Sequence, residues 1–187
     1  MELIITPEEK HYLLENARET IAAGLEAREG TYGPLPQGRA LEAPCGAFVS
    51  LYSRTGGEEK QLRGCIGTLA STKALLSTVR LMAYEAAFRD PRFPPLTKEE
   101  FPGLMLEISV LSPMSPCGDP RHIIVGVHGL YLVSRSRSGV LLPQVPVEQG
   151  WDLEEYLHYI CLKAGLPQGA YADPEAKLYT FTAEVFA

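Results

Sequence analysis

Cysteine is sparse in this chain and never set at metal-binding or redox spacing: Cys45, Cys65, Cys117 and Cys161 stand far apart, and no CxxC pair occurs. The pattern argues against a zinc ribbon or a thioredoxin-like motif, and free thiols in an intracellular, cytoplasmic setting are the expectation. No apolar run approaches the ~20 residues that span a bilayer. Met1-Glu2-Leu3-Ile4-Ile5-Thr6 turns polar too soon for a secretory signal, so neither a membrane nor export is expected. Positive charge is also in deficit: 17 Lys and Arg against 23 Asp and Glu leave a net charge of −6, with a pI near 5.3. A nucleic-acid binder would carry a basic stripe. Here only Arg135 and Arg137 cluster, beside Ser136 and Ser138 in what reads as a hairpin tip, so nucleic acid is not an expected partner. No GxGxxG follows a strand, and there is no phosphate loop, nucleophile elbow or HExxH. The motifs imply no cofactor, and a Rossmann fold is set aside.

What is present is an ordinary globular composition, 45% hydrophobic and 21% charged. A chain of 187 residues buries on folding roughly 70% of the surface it exposes when extended, enough for a core without a staple. Thr6-Pro7-Glu8-Glu9 opens a helix: Thr6 can cap, Pro7 suits the first position and Glu9 completes a capping box. Tyr12, Leu13, Ala17, Ile21 and Leu25 then recur at helical spacing to about Arg28. Residues 29–44 read as a Gly- and Pro-rich loop.

Alternation begins at Cys45. Ala47, Val49 and Leu51 fall on one face and Phe48, Ser50 and Tyr52 on the other. Gly56-Gly57 marks a turn, and Gln61 to Ile66 returns as the second strand of a hairpin. Ser71 or Thr72 is expected to cap a helix that stops at Asp90-Pro91, because proline disfavours helix at the residue before it. Thr97 with Glu100 suggests a short helical turn, and Leu104 to Val110 alternates as a strand. The second half repeats the outline. Leu130–Arg135 and Val140–Leu142 read as a hairpin around Ser136-Arg137-Ser138-Gly139, Asp152 and Glu155 box a helix that ends at Gly165, and residues 178–185 alternate as a last strand. The chain therefore reads as one α+β domain over 1–187, largely antiparallel. It has an N-terminal helix at 6–28 and two similar hairpin–helix–strand subdomains at roughly 45–112 and 121–186.

Chemistry concentrates in Leu62-Arg63-Gly64-Cys65-Ile66-Gly67. Period two puts Leu62, Gly64 and Ile66 on a core face and Arg63, Cys65 and Gly67 on the other. A guanidinium beside a thiol favours thiolate, and Gly64 and Gly67 permit close approach of backbone or ligand and positive φ. The bland reading is a bulged or tightly packed strand with Cys65 as a small hydrophobe. Asp90 and Arg92 either line a cleft or form a local ion pair behind the helix, with Phe93 plugging the core. His128, in Val127-His128-Gly129, is either a base for Cys65 or a turn residue. His158 and Cys161 stand at a spacing that offers two metal ligands, but Cys161 lies in the apolar stripe and core packing is the better account, so no metal is assigned. Trp151 is expected to staple the last helix, near Tyr156.

Taken in order, Leu62 to Gly67, Asp90-Pro91-Arg92-Phe93, Leu106-Glu107-Ile108-Ser109-Val110-Leu111, His128-Gly129-Leu130, Leu142-Pro143-Gln144, Gly150-Trp151-Asp152 and Lys163-Ala164-Gly165-Leu166-Pro167 resemble AmmeMemoRadiSam system protein A, the AMMECR-type domain. The resemblance covers nearly the whole chain. It implies two similar subdomains sharing one barrel-like sheet, and the company of a Memo-type protein and a radical-SAM protein; it carries no reaction with it. Two functions of different class follow. One is a binding or adaptor module acting with those partners, the hexapeptide serving as a notch in which Arg63, Gly64, Gly67, Asp90 and Arg92 hold a small-molecule or peptide ligand. The other is an enzyme with Cys65 as nucleophile or redox thiol, Arg63 as anion holder and His128 as base.

Overall fold

The computed structural model describes residues 4–53 and 60–187; the turn expected at Gly56-Gly57 lies outside them. Helix α1 spans Pro7–Glu26 and starts as its sequence requires. The Thr6 hydroxyl accepts from the Glu9 amide, and the Glu9 carboxylate accepts from the Thr6 amide at 2.9 Å. It ends two residues short of the residue expected, because Ala27 takes a left-handed conformation, φ 54°. Strands β1 (Ala47–Ser53) and β2 (Gln61–Thr68) pair antiparallel, α2 (Leu75–Phe88) follows, and β3 (Met105–Leu111) pairs with β1. The cap expected from Ser71 or Thr72 is not used. Ser71 instead closes a turn onto the Lys73 amide, and α2 begins at Leu75 without a side-chain cap.

The second half contains β4 (Ser115–Pro116), β5 (Gly129–Ser134), β6 (Arg137–Leu141), the short α3 (Gln144–Gln149), α4 (Leu153–Lys163), β7 (Ala176–Phe181) and β8 (Ala183–Phe186). Its hairpin turns two residues earlier than expected, at Arg135, whose φ of 54° supplies the reversal. Helix α4 carries the expected capping box, Asp152 with Glu155, and Gly165 beyond it sits at φ 68°. Trp151 stacks on Tyr159 with ring centres 3.9 Å apart. Tyr156 is instead buried, its hydroxyl donating to the His128 and Leu141 carbonyls.

Two sheets result, with strand orders β2-β1-β3-β8 and β4-β7-β5-β6. Each contains a hairpin flanked by the strand that returns after a helix, β2-β1-β3 with α2 and β6-β5-β7 with α4, so the repeat read from the periodicity is present in the fold. The single barrel-like sheet is not: the described residues form two separate four-stranded antiparallel sheets. The reason lies in the last alternating run, which is broken at Thr182. Ser112 and Thr182 exchange hydrogen bonds, the Ser112 amide to the Thr182 carbonyl and the Thr182 amide to the Ser112 hydroxyl, both 2.9 Å. That pin ends β7 in the second sheet and releases β8 to the first.

The chain divides into two compact units, residues 1–111 with 184–187 and residues 112–183. In the first, Ala47, Val49, Leu51, Leu106, Ile108 and Val110 pack with Leu13, Ala17 and Ile21 of α1 and Val79, Ala83 and Ala86 of α2. In the second, Leu130, Leu132 and Leu178 pack with Tyr156, Leu157, Ile160 and Cys161 of α4. Cys161 is thus core, and no cluster of three metal-ligating side chains occurs among the described residues. All four cysteines are free thiols. No described helix is long and apolar enough to cross a membrane.

Candidate functional site

The hexapeptide lies on β2, an edge strand. Its pairing with β1 is regular from Thr68 to Gly64, then shifts: Leu51 faces Gly64 and Tyr52 faces Leu62, leaving Arg63 as the extra residue of a bulge. One extra residue reverses the alternation on its far side. Leu62, expected in the core, is therefore 41% exposed, while Ile66 packs against the core as expected. The two glycines serve packing. A Cβ on Gly64 would fall well under 3.0 Å from the Ala86 carbonyl of α2, and one on Gly67 would enter the Phe48 ring. Neither has positive φ.

Arg63 leaves the strand at the bulge and is held by Glu100, Nε to Oε1 at 2.6 Å and Nη2 to Oε2 at 3.1 Å. Its side chain is only 11% exposed. The Glu100 carboxylate also accepts from the Thr97 amide at 2.9 Å, the half of the expected box that forms. Hydrogen bonding from Arg63 brings the Glu100 carboxyl down to about 2, against an ordinary value of 4.5. A depressed folded-state value stabilises above the unfolded pKa and ceases to do so as pH falls through the folded one. Glu100→Gln is therefore expected to lose about 1–2 kcal/mol at neutral pH. The wild-type and variant stability curves, from urea melts at stepped pH, should converge as pH drops from 4.5 toward 2.

Cys65 is clamped from the open edge of β2. Its amide donates to Asp90 Oδ2 at 2.8 Å, and its carbonyl accepts from Arg92 Nη2 at 2.8 Å. Asp90 completes the clamp by accepting from Arg92 Nε and Nη2 at 2.9 and 2.7 Å. The Asp90 side chain is 1% exposed and that of Arg92 54%, and the Arg92 guanidinium holds the Asp90 carboxyl well below the usual carboxylate range. Phe93 does not plug the core. Its ring lies under Arg63 and Arg92, 6.0 and 5.6 Å from the two guanidinium carbons, while Leu96 takes the buried position.

With both backbone groups of Cys65 turned outward, Ser50 and Cys65 form a non-hydrogen-bonded pair, the kind whose side chains come closest. Ser50 Oγ stands 3.3 Å from Cys65 Sγ. On its other side Ser50 pairs with Glu107 of β3, whose Oε1 accepts from the Tyr52 hydroxyl at 3.2 Å. Ser50 is a further hydrogen-bonding neighbour of that phenol. Burial, with the Glu107 charge second, pushes the Tyr52 phenol up to about 12, so it keeps its proton. The sheet face turned away from α1 and α2 thus carries a succession of polar groups, Cys65, Ser50, Tyr52 and Glu107, drawn from three strands. Arg92 lies at its thiol end, and the Cys65 side chain is one of the groups acting on its guanidinium.

Of the residues named from sequence, Cys65, Asp90 and Arg92 come together. Arg63 lies at the adjacent bulge, engaged by Glu100. His128 belongs to the second unit, where its Nδ1 accepts from the Ile124 amide at 3.0 Å and closes a turn. With that lone pair occupied, the proton of a neutral ring falls to Nε2. His128 lines a cavity of about 170 Å³ with Cys117, Asp119, His122, Ile123 and Thr180. Ser50, Tyr52, Glu107 and Glu100 were not singled out by sequence reasoning. The alternation of β1 and β3 placed the first three on outward positions, and only the pairing register showed that they meet.

The described residues define an α+β fold of two four-stranded antiparallel sheets, the first of which bears a clamped thiol. Residues 14–186 match the AMMECR1 family, and the chain belongs to it. A protein of Thermococcus gammatolerans is 42% identical over 175 residues, covering 86% of this chain and 85% of that protein. One of Nanoarchaeum equitans is 37% identical over 180 residues, covering 93% and 97%. The crystal structure of an uncharacterized protein from Pyrococcus horikoshii superposes with a TM-score of 0.85 at 38% identity, over 97% of this chain and 92% of that one.

Proposed function

We propose that this chain is a binding module. Its ligand, a small molecule or peptide, seats on the outward face of the first sheet around Cys65, and it acts beside the Memo-type and radical-SAM proteins that the resemblance implies. One observation carries the reading. Ser50, Tyr52, Cys65 and Glu107 converge from three strands at a point whose backbone Asp90 and Arg92 hold rigid, the preorganisation that lets polar groups select a ligand without first being ordered. The test mixes the purified chain with purified Memo-type and radical-SAM proteins and follows co-elution by size exclusion. Association is expected to survive Cys65→Ser and to fall at least about tenfold in Tyr52→Phe/Glu107→Gln, a difference of about 1.4 kcal/mol. If the wild-type chain associates with neither protein, the adaptor reading is lost.

The hydrogen-bonded succession from thiol to carboxylate favours a second reading, an enzyme that uses Cys65 as nucleophile or redox thiol on a small molecule or peptide. Cys45 and Cys161 are buried, and burial pushes the Cys117 thiol up. Iodoacetamide at neutral pH is therefore expected to label Cys65 first in the folded protein. An inert Cys65 would discard this reading and leave the binding module standing.

A further inference from the structure

We propose that Cys65 is a hydroperoxide-reactive thiol, with Ser50 and Arg92 as the groups that align and polarise the peroxide. This rests on the reading of Cys65 as a working thiol and is independent of partner binding. Reduction of a peroxide by a thiol asks for three things at one place: a partly exposed sulfur, a donor for the oxygen that leaves, and a hydroxyl that steers the oxygen under attack.

The first sheet supplies all three. The Arg92 guanidinium is fixed by Asp90 and by the Cys65 carbonyl through Nε and Nη2. Its side chain remains 54% exposed, so the rest of a cationic, donor-only group stands beside the thiol. Ser50 Oγ, 3.3 Å from Sγ, is buried and anchored on a central strand. A hydroxyl there can donate to thiolate or to an incoming oxygen and accept from a peroxide O–H. Beyond Ser50, Tyr52 keeps its proton and donates to Glu107.

The step balances as follows. The thiolate attacks one peroxide oxygen, an S–O bond forms as the O–O bond breaks, and sulfur is oxidised by two electrons to the sulfenic acid. The second oxygen leaves as alcohol or water, taking the proton the thiol lost. A low-molecular-weight thiol then condenses with the sulfenic acid, releasing water and leaving a mixed disulfide. A second equivalent frees Cys65 by exchange and leaves as the oxidised disulfide.

The experiment uses the full chain with hydrogen peroxide, dimedone to trap sulfenic acid, and peptide mass spectrometry to place the adduct. Iodoacetamide serves as the comparison electrophile. Cys65 is expected to be trapped first, at least about tenfold faster than the thiols of the urea-unfolded chain, equivalent to 1.36 kcal/mol in the barrier. Ser50→Ala and Arg92→Lys, with folding checked by circular dichroism, should slow the peroxide reaction several-fold more than the iodoacetamide reaction, because only the peroxide needs its leaving oxygen polarised. Should one variant fail to fold, the other decides. Equal slowing toward both reagents, or a peroxide rate no faster than in the unfolded chain, overturns the proposal even where Cys65 alkylates readily. A Cys65 inert to both reagents overturns the working-thiol reading with it.

Discussion

Replacing Asp90 with alanine is expected to lower the stability of the folded chain by about 3 kcal/mol, read as a fall in the urea midpoint at unchanged slope. The carboxylate is almost wholly buried and accepts from the Cys65 amide, the Arg92 amide and two nitrogens of the Arg92 guanidinium. Removing it strands the Cys65 N–H at the edge of the first sheet and unties Arg92 from the Cys65 carbonyl. Because the Arg92 side chain is half exposed, water can re-solvate it, and the loss stays below that of a fully buried ion pair. Asp90→Asn, which keeps an acceptor for the Cys65 amide, should lose about half as much. The acid limb gives an independent check. A carboxyl held below its ordinary value stabilises above the unfolded pKa of roughly 3.9 and stops doing so as pH falls through the folded one. Wild-type and Asp90→Asn stabilities should therefore separate at neutral pH and draw together below about pH 4. A loss under about 1 kcal/mol for the alanine variant, within the range of ordinary surface substitutions and weak pairs, would show that the clamp contributes little.

The second large effect is expected from a single methyl group. Gly64→Ala places a Cβ against the Ala86 carbonyl oxygen, a backbone atom of α2 that cannot rotate away. Either β2 lifts from the helix or the helix shifts, and overpacking of this kind costs about 2–3 kcal/mol. The second unit provides an internal replicate. Gly139 of β6 meets the backbone of Lys163 and Ala164 in the same way at the end of α4, so Gly139→Ala should cost a similar amount. Gly103 provides the control, since nothing lies within 4 Å of a Cβ there and its φ is not positive. Gly103→Ala should be neutral or slightly stabilising, by up to about 1 kcal/mol, through the entropy of the unfolded chain. Equal thermal midpoints for Gly64→Ala and Gly103→Ala would refute the close-packing account. In Gly64→Ala the reactivity of Cys65 should change as well, because the strand carrying the thiol is the one displaced.

Those two glycines show how far the primary sequence is legible. Gly64, on a hairpin strand, reads as a place of close approach with bulge, ligand or packed backbone left open, whereas Gly139 reads as part of a turn. The helix at the end of each hairpin turned out to be the neighbour in both halves, a contact made across 20 or more residues of chain. The same limit applies to the site. Cys65 was legible as a candidate because period two sets it on one face with Arg63, next to glycines that permit close approach. Its actual partners were not legible, because the bulge at Arg63 reversed the faces and handed the place beside the thiol to Arg92. Ser50, Tyr52 and Glu107 looked like ordinary outward residues until the register brought them side by side.

What this chain settled by itself belongs to the interactions between neighbours within about four residues, though not all of those. The capping boxes at Thr6 and Asp152, the stop at Gly165, the period-two runs of the strands and the twofold hairpin–helix–strand order are all of that kind, because capping and periodicity depend on local backbone geometry. Tertiary structure alone decided where β7 ends and β8 begins, which guanidinium meets which carboxylate, and which side chains share a sheet face. Those outcomes depend on pairing register, and one inserted residue is enough to move every later side chain to the opposite face.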